Sequence, residues 1–141
     1  MTPRVYVDTS AYLCVLFGED GAAAIAERLA GAQLYSSVLL VLESRRNIVR
    51  LARNGQLPAK KVNDLLERVR KDAELFTLRD LTLELCADPL VPALTTPRSL
   101  DLAHLRTAAW FHRRDPLHDF VTRDDNQEQA ARELGLPARQ P

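Results

Sequence analysis

Short apolar runs alternate with longer amphipathic ones along this chain. Near its start, Val5, Tyr6 and Val7 form a run too short for a helix and rich in β-favouring residues. It predicts a buried strand ending at a carboxylate, Asp8. Thr9 or Ser10 is then placed to cap a helix reaching about Phe17. The stretch GEDGAAAIAERLAGA predicts a turn and an Ala-rich helix with Gly31 near its end, and AQLYSSV predicts a second strand. A helix over LLVLESRRNIVRLARNG ends before Gly55, and Pro58 stands where the next can begin. There Val62, Leu65, Leu66 and Val69 recur at helical spacing, giving PAKKVNDLLERVRKDA one core face and one charged face.

ELFTL predicts a third strand, LTLELCADPL a helix broken near Pro89 and Pro92, and TTPRS a loop. Ser99 can cap a helix over LDLAHLRTAAWFHRR; HDFVT predicts a fourth strand and NQEQAARELG a terminal helix. Strands separated by helices imply an α/β sandwich with a mainly parallel sheet of about four or five strands. The 141 residues, 46% of them hydrophobic, can fill one core. With no internal repeat and no interdomain linker, one domain over residues 1–141 is expected.

Charge changes the picture little at first. The 19 basic and 19 acidic residues cancel, which neither demands a nucleic-acid partner nor excludes one. Sixteen of the basic residues are Arg, suited to bidentate phosphate contacts but equally a product of GC-rich coding. Cys14 and Cys86 lie far apart in apolar surroundings, without the spacing of a zinc site or disulfide framework, and are expected to be buried thiols. No apolar segment approaches the ~20 residues of a membrane span, and no basic region precedes a signal-peptide core. A cytoplasmic protein is the expectation.

The informative acids stand at the ends of elements. In an open parallel sheet, ligands collect beyond the carboxyl ends of the strands. Asp8 ends the first strand, Asp124 follows the fourth, and Asp101 lies in the first turn of the helix after TTPRS. Glu43 sits behind an apolar run, where burial needs a partner, either a cation or Arg46 or Arg50 on its own helix.

VYVDTSAYL, SSVLLVLESRR, SLDLAHLRTAAW, and DFVTRDD followed by AARELGL occur in this order over nearly the whole chain. In order, spacing and total length they resemble the PIN-domain family, particularly the VapC-type ribonuclease toxins of toxin–antitoxin pairs. The resemblance implies a PIN-like three-layer sandwich and a Mg²⁺-dependent endoribonuclease, with Mn²⁺ as a substitute ion. Carried over residue by residue, it makes Asp8, Glu43, Asp101 and Asp124 the acidic quartet, with Thr9 and Thr122 beside it. Asp8 and Asp101 are the expected direct ligands; Glu43 and Asp124 would hold a second ion or act through water. The chemistry agrees, since phosphodiester hydrolysis needs an activated water and charge neutralisation, and Mg²⁺ takes hard oxygen ligands. An RNA substrate, a cognate antitoxin and a homodimer are implied as partners. Arg106 departs from the family pattern, where a small apolar residue is common, and Asp125 offers an alternative to Asp124 as the fourth acid.

Each residue also has a plainer reading. Asp8 could cap the first helix, Asp101 could satisfy a helix dipole, Glu43 could pair with Arg46 or Arg50, and Asp124 could start a helix. His104 lies three residues after Asp101 and is expected to be a packed or hydrogen-bonded histidine, since Mg²⁺ does not seek imidazole. Arg45, Arg46 and Arg50, with Arg53, Lys60 and Lys61, are candidate RNA contacts or an ordinary solvated face. Tyr12, Trp110 and Phe111 are expected in the core rather than stacked on bases. Two rival functions are a catalytically inactive RNA- or protein-binding module and a phosphatase with Asp8 as nucleophile. Clustered negative charge disfavours the first, and Ser10, where a second acid would be needed, disfavours the other.

Overall fold

A computed structural model describes residues 1–89 and 98–139. Strand β1 (Arg4–Val7) runs into helix α1 (Thr9–Phe17) and then α2 (Ala22–Leu29). Strand β2 (Gln33–Ser37), helices α3 (Leu39–Arg53) and α4 (Ala59–Ala73), and strand β3 (Phe76–Arg79) follow. Short α5 (Leu83–Ala87), long α6 (Ser99–Arg114), β4 (Asp119–Val121) and α7 (Asp125–Glu133) complete the described elements. The four strands form one all-parallel sheet in the order β3-β2-β1-β4.

The apolar run of β1 is continuous because both of its faces are covered. Val5 and Val7 point into one core with Tyr12, Ile25, Leu40, Ile48 and Val69. Tyr6, between them, points into the other with Leu105, Ala108, Phe111 and Ala131. Strand β4 repeats the alternation in register, Tyr6 opposite Phe120 and Val7 opposite Val121. The rings of Tyr6 and Phe120 accordingly stack, 5.4 Å between centroids. Helices α1 to α4 cover one face and α6 and α7 the other, giving the layered α/β architecture expected from the pattern. Among the described residues, no helix is long and apolar enough to cross a membrane.

Several local details differ from expectation. Asp8, not Thr9 or Ser10, is the cap residue of α1, and Arg98, not Ser99, that of α6. Helix α5 is shorter than expected and is capped by Thr82, whose hydroxyl accepts the Leu85 N–H. Pro92 and most of the loop expected at 95–99 lie outside the described residues. Cys14 is buried, but Cys86 is exposed because it lies on the outer side of short α5. Gly18 ends α1 at φ 63°, a left-handed conformation that lets its N–H reach the last carbonyls.

Arg28 of α2 grips Asp119 of β4 through two parallel bonds, Nε to Oδ2 at 2.9 Å and Nη2 to Oδ1 at 2.7 Å. The pair is largely shielded from solvent and joins the helical layer to the outer strand. Removing Arg28 leaves the shielded Asp119 carboxylate with only the more distant Arg139, whose Nε lies 3.6 Å away. Arg28→Met should therefore lower unfolding stability by about 3 kcal/mol, read as a shifted urea midpoint at unchanged slope; a loss indistinguishable from zero would show that the pair is dispensable.

Candidate functional site

The chain proceeds from β1 outward to β2 and β3, then returns through α6 to place β4 on the other side of β1. This reversal puts a crevice at the carboxyl ends of β1 and β4, where ligands of open α/β sheets bind. A cleft of about 170 Å³ lies in the structure beside these ends, lined by Asp8, Thr9, Ser10, Glu43, Asn47, Arg98, Asp101 and Asp124 among others. All four acids singled out from sequence face it.

Asp8 follows the last residue of β1, and its N–H continues the sheet by donating to the Val121 carbonyl at 2.9 Å. It occupies the N-cap position of α1 and is 4% exposed, yet its carboxylate makes no capping bond. Oδ2 instead accepts the hydroxyls of Ser10 and Thr122, each at 2.8 Å. The capping reading of Asp8 therefore fails, and its charge is aimed across the mouth of the sheet. Thr122 in turn accepts the Asp124 N–H at 3.2 Å, tying the two strand ends together.

Glu43 is half-buried on α3, where neither Arg46 nor Arg50 answers it; Arg50 donates to Asn47 instead. Its Oε1 takes the Thr9 hydroxyl at 2.8 Å and His104 Nε2 at 2.8 Å. Burial acts to raise the Glu43 pKa, but the His104 hydrogen bond and charge, the Thr9 hydroxyl and the Arg98 charge outweigh it and hold it low. An ionised carboxylate only accepts, so Nε2 carries a proton. The other ring nitrogen, Nδ1, meets the Tyr6 hydroxyl at 2.8 Å. Burial disfavours the imidazolium, yet the Glu43 hydrogen bond and the charges of Asp8, Glu43 and Asp101 prevail and raise the His104 pKa. His104 is thus the hydrogen-bonded histidine expected, and it anchors Glu43.

Asp101 in the first turn of α6 has its pKa raised, first by burial and then by Asp8 and Asp124, with Arg98 acting in the opposite direction. Asp124 caps α7 as its plainer reading held, Oδ1 accepting the N–H groups of Asn126 and Gln127. Its second oxygen lies on the cleft side, 3.6 Å from Arg98 Nη2. Asp125 is exposed and is not among the cleft residues. Capping explains the difference: the cap precedes the helix and looks back along the sheet, whereas the next residue already turns outward.

All the carboxylate oxygens here are hard donors, the chemistry that suits Mg²⁺ better than zinc. Among the described residues, no three His, Cys, Asp or Glu side chains stand close enough together to hold a metal ion as placed. Each acid is instead drawn to a hydroxyl, an imidazole or a guanidinium. The donor set fits a hard divalent cation in type.

The basic residues of α3 lie on a different face. Arg45, Arg46, Arg50 and Arg53 line a groove of about 500 Å³ with Leu42, Val49 and Leu66. Tyr12 is core, its hydroxyl donating to Asp72 at 2.7 Å and its ring edge meeting Phe76, and Phe111 is buried. Trp110 lies under two guanidinium groups, Arg79 and Arg114. Arg106 donates to the Leu85 and Asp88 carbonyls, fastening α5 to α6. Sequence reasoning missed Ser10 as the holder of Asp8 and Arg98 as a cleft residue. The spacing of Arg98 and Asp101, three apart, was the available signal for the latter.

Comparison of the chain with models of known protein families and with curated proteins returns no match.

The Glu43–His104 contact makes stability depend on pH in a defined way. The His104 pKa is raised from 6.5, so its contribution is full below that value and is lost as pH rises through the folded pKa. The Glu43 pKa is lowered from 4.5, so its contribution is present above that value and is lost as pH falls through the folded pKa. The pair should therefore stabilise most between pH 4.5 and 6.5. In EDTA, the gap in melting temperature between wild type and His104→Gln should be widest in that window and narrow towards alkaline pH. A constant gap would mean that His104 does not titrate.

Proposed function

We propose that this chain is a PIN-like, VapC-type nuclease that hydrolyses RNA phosphodiester bonds with Mg²⁺ and acts as the toxin of a toxin–antitoxin pair. The observation that carries the reading is the convergence of Asp8, Glu43, Asp101 and Asp124 on one cleft at the sheet's reversal point, with Asp8 buried at a cap position it does not use. An ordinary fold gains nothing from collecting like charges there.

Asp8 and Asp101 are the proposed direct ligands, with Glu43 and Asp124 completing the set. Bound Mg²⁺, with Mn²⁺ as a substitute, would supply charge neutralisation at the phosphate and a water of lowered pKa. Ser10 and Thr122 orient Asp8 by donating to a single oxygen, which limits rotation of the carboxylate. Thr9 and His104 do the same for Glu43 and keep it ionised. Arg45, Arg46 and Arg50 on the adjoining face of α3 would follow the RNA backbone away from the cleft. The same reading brings a cognate antitoxin and a homodimer as partners, and a cytoplasmic location.

Asp8→Asn and Asp101→Asn should each reduce Mg²⁺-dependent cleavage of total RNA by at least about a hundredfold while the circular dichroism spectrum is retained. Asp124→Asn should be more damaging than Asp125→Asn. Full turnover by folded Asp8→Asn would remove the central residue of the reading. RNA binding without cleavage under any metal would instead favour a non-catalytic binding module. Replacing Arg46 and Arg50 together by Gln should flatten the salt dependence of single-stranded RNA binding by about 1.4 in log–log slope, two phosphates' worth; an unchanged slope would take the α3 groove out of the RNA path.

A further inference from the structure

The cleft contains a cation supplied by the chain itself. Arg98 lines it from the start of α6, its Nε donating to Asp101 Oδ2 at 3.1 Å and its Nη2 lying 3.6 Å from Asp124 Oδ2. One guanidinium thus spans carboxylates from two elements that are far apart in sequence. The Arg98 side chain is 70% exposed, whereas those of Asp101 and Asp124 are 15% and 27% exposed. The cation therefore lies over the mouth with the acids beneath it.

Helix pairing explains only part of this placement: Asp101, three residues on, is an intrahelical partner for Arg98, whereas Asp124 belongs to another element. Arg98 occupies the N-cap of α6, where its side chain makes no capping bond. A positive charge there faces the positive end of the helix dipole, so the position is locally unfavourable. Here the compensation comes from the acids, Asp124 included, which belongs to the other side of the cleft.

We propose that Arg98 is a resident counter-cation that competes with a divalent metal ion for Asp101 and Asp124, so that the ion binds only as the guanidinium swings out. The inference rests on the reading of the cleft as a divalent-cation site and concerns how that site is regulated. A guanidinium has no lone pair to offer a metal, and two cations within one narrow cleft repel. Because the side chain is exposed, solvent takes it up when it leaves, which makes the competition reversible. It also gives the metal-free protein a way to neutralise clustered acids that would otherwise repel.

The test uses the full chain, stripped with EDTA, and calorimetric titration with Mg²⁺ alone. Exposed ion pairs of this kind correspond to roughly three- to tenfold in binding when two act together, so Arg98→Gln should bind Mg²⁺ tighter than wild type by that factor. Thermal melts should show Arg98→Gln less stable than wild type in EDTA and gaining more from Mg²⁺. Equal or weaker Mg²⁺ binding by Arg98→Gln, with wild type still binding, would overturn the competition and leave the metal reading standing. No Mg²⁺ binding by either protein would overturn both. If Arg98→Gln does not fold, Arg98→Lys decides in its place: lysine keeps the charge but cannot span both carboxylates, so it should bind tighter than wild type, and no gain would sink the proposal.

Discussion

The parallel pairing of β1 with β4 is the constraint on which the rest depends. Register places Tyr6 opposite Phe120 and Val7 opposite Val121, and the Asp8 N–H then closes the ladder on the Val121 carbonyl. That last bond brings the ends of two strands together from opposite ends of the chain. Thr122 can reach Asp8 only because this register holds, and Asp124 follows from Thr122. A slip of one residue would reverse every side chain, sending Phe120 into the layer of Val7 and turning Thr122 away from the cleft.

Around that junction the protein meets the cost of clustered carboxylates in several ways. Asp8 is held by two hydroxyls, Glu43 by a hydroxyl and an imidazole, and Asp101 and Asp124 by a shared guanidinium. The results differ because the environments differ. Glu43 faces a charge of opposite sign from within the core and is held ionised, whereas Asp101 feels burial and two like charges and has its pKa raised. The cleft thus presents its acids to one small volume while each is tied to a partner of its own.

Elements were legible in the sequence where local chemistry decides them. The alternation of Val5, Tyr6 and Val7 between two cores and the helical spacing of Val62, Leu65, Leu66 and Val69 depend on neighbours a few residues away. Caps were read less well. Asp8, Thr9 and Ser10 all have cap chemistry, and the choice turned on the sheet, which takes the Asp8 N–H and frees its carboxylate for Ser10 and Thr122. Arg106 likewise took its partners from outside its own helix, and Trp110 gained Arg79 from β3 beside Arg114 of its own helix.

By itself, the sequence determined the order of strands and helices, the two-faced character of the first strand, and the presence of acids at the ends of apolar runs. These follow from periodicity, which is a local property of the chain. Only the tertiary structure decided which partner each acid takes. Glu43 meets His104 across 61 positions, Asp8 meets Thr122 across 114, and Arg98, bonded to Asp101 of its own helix, also reaches Asp124. Such partners are set by strand order, register and the way helices lie over the sheet, and side chains distant in sequence become neighbours only when those long-range choices have been made.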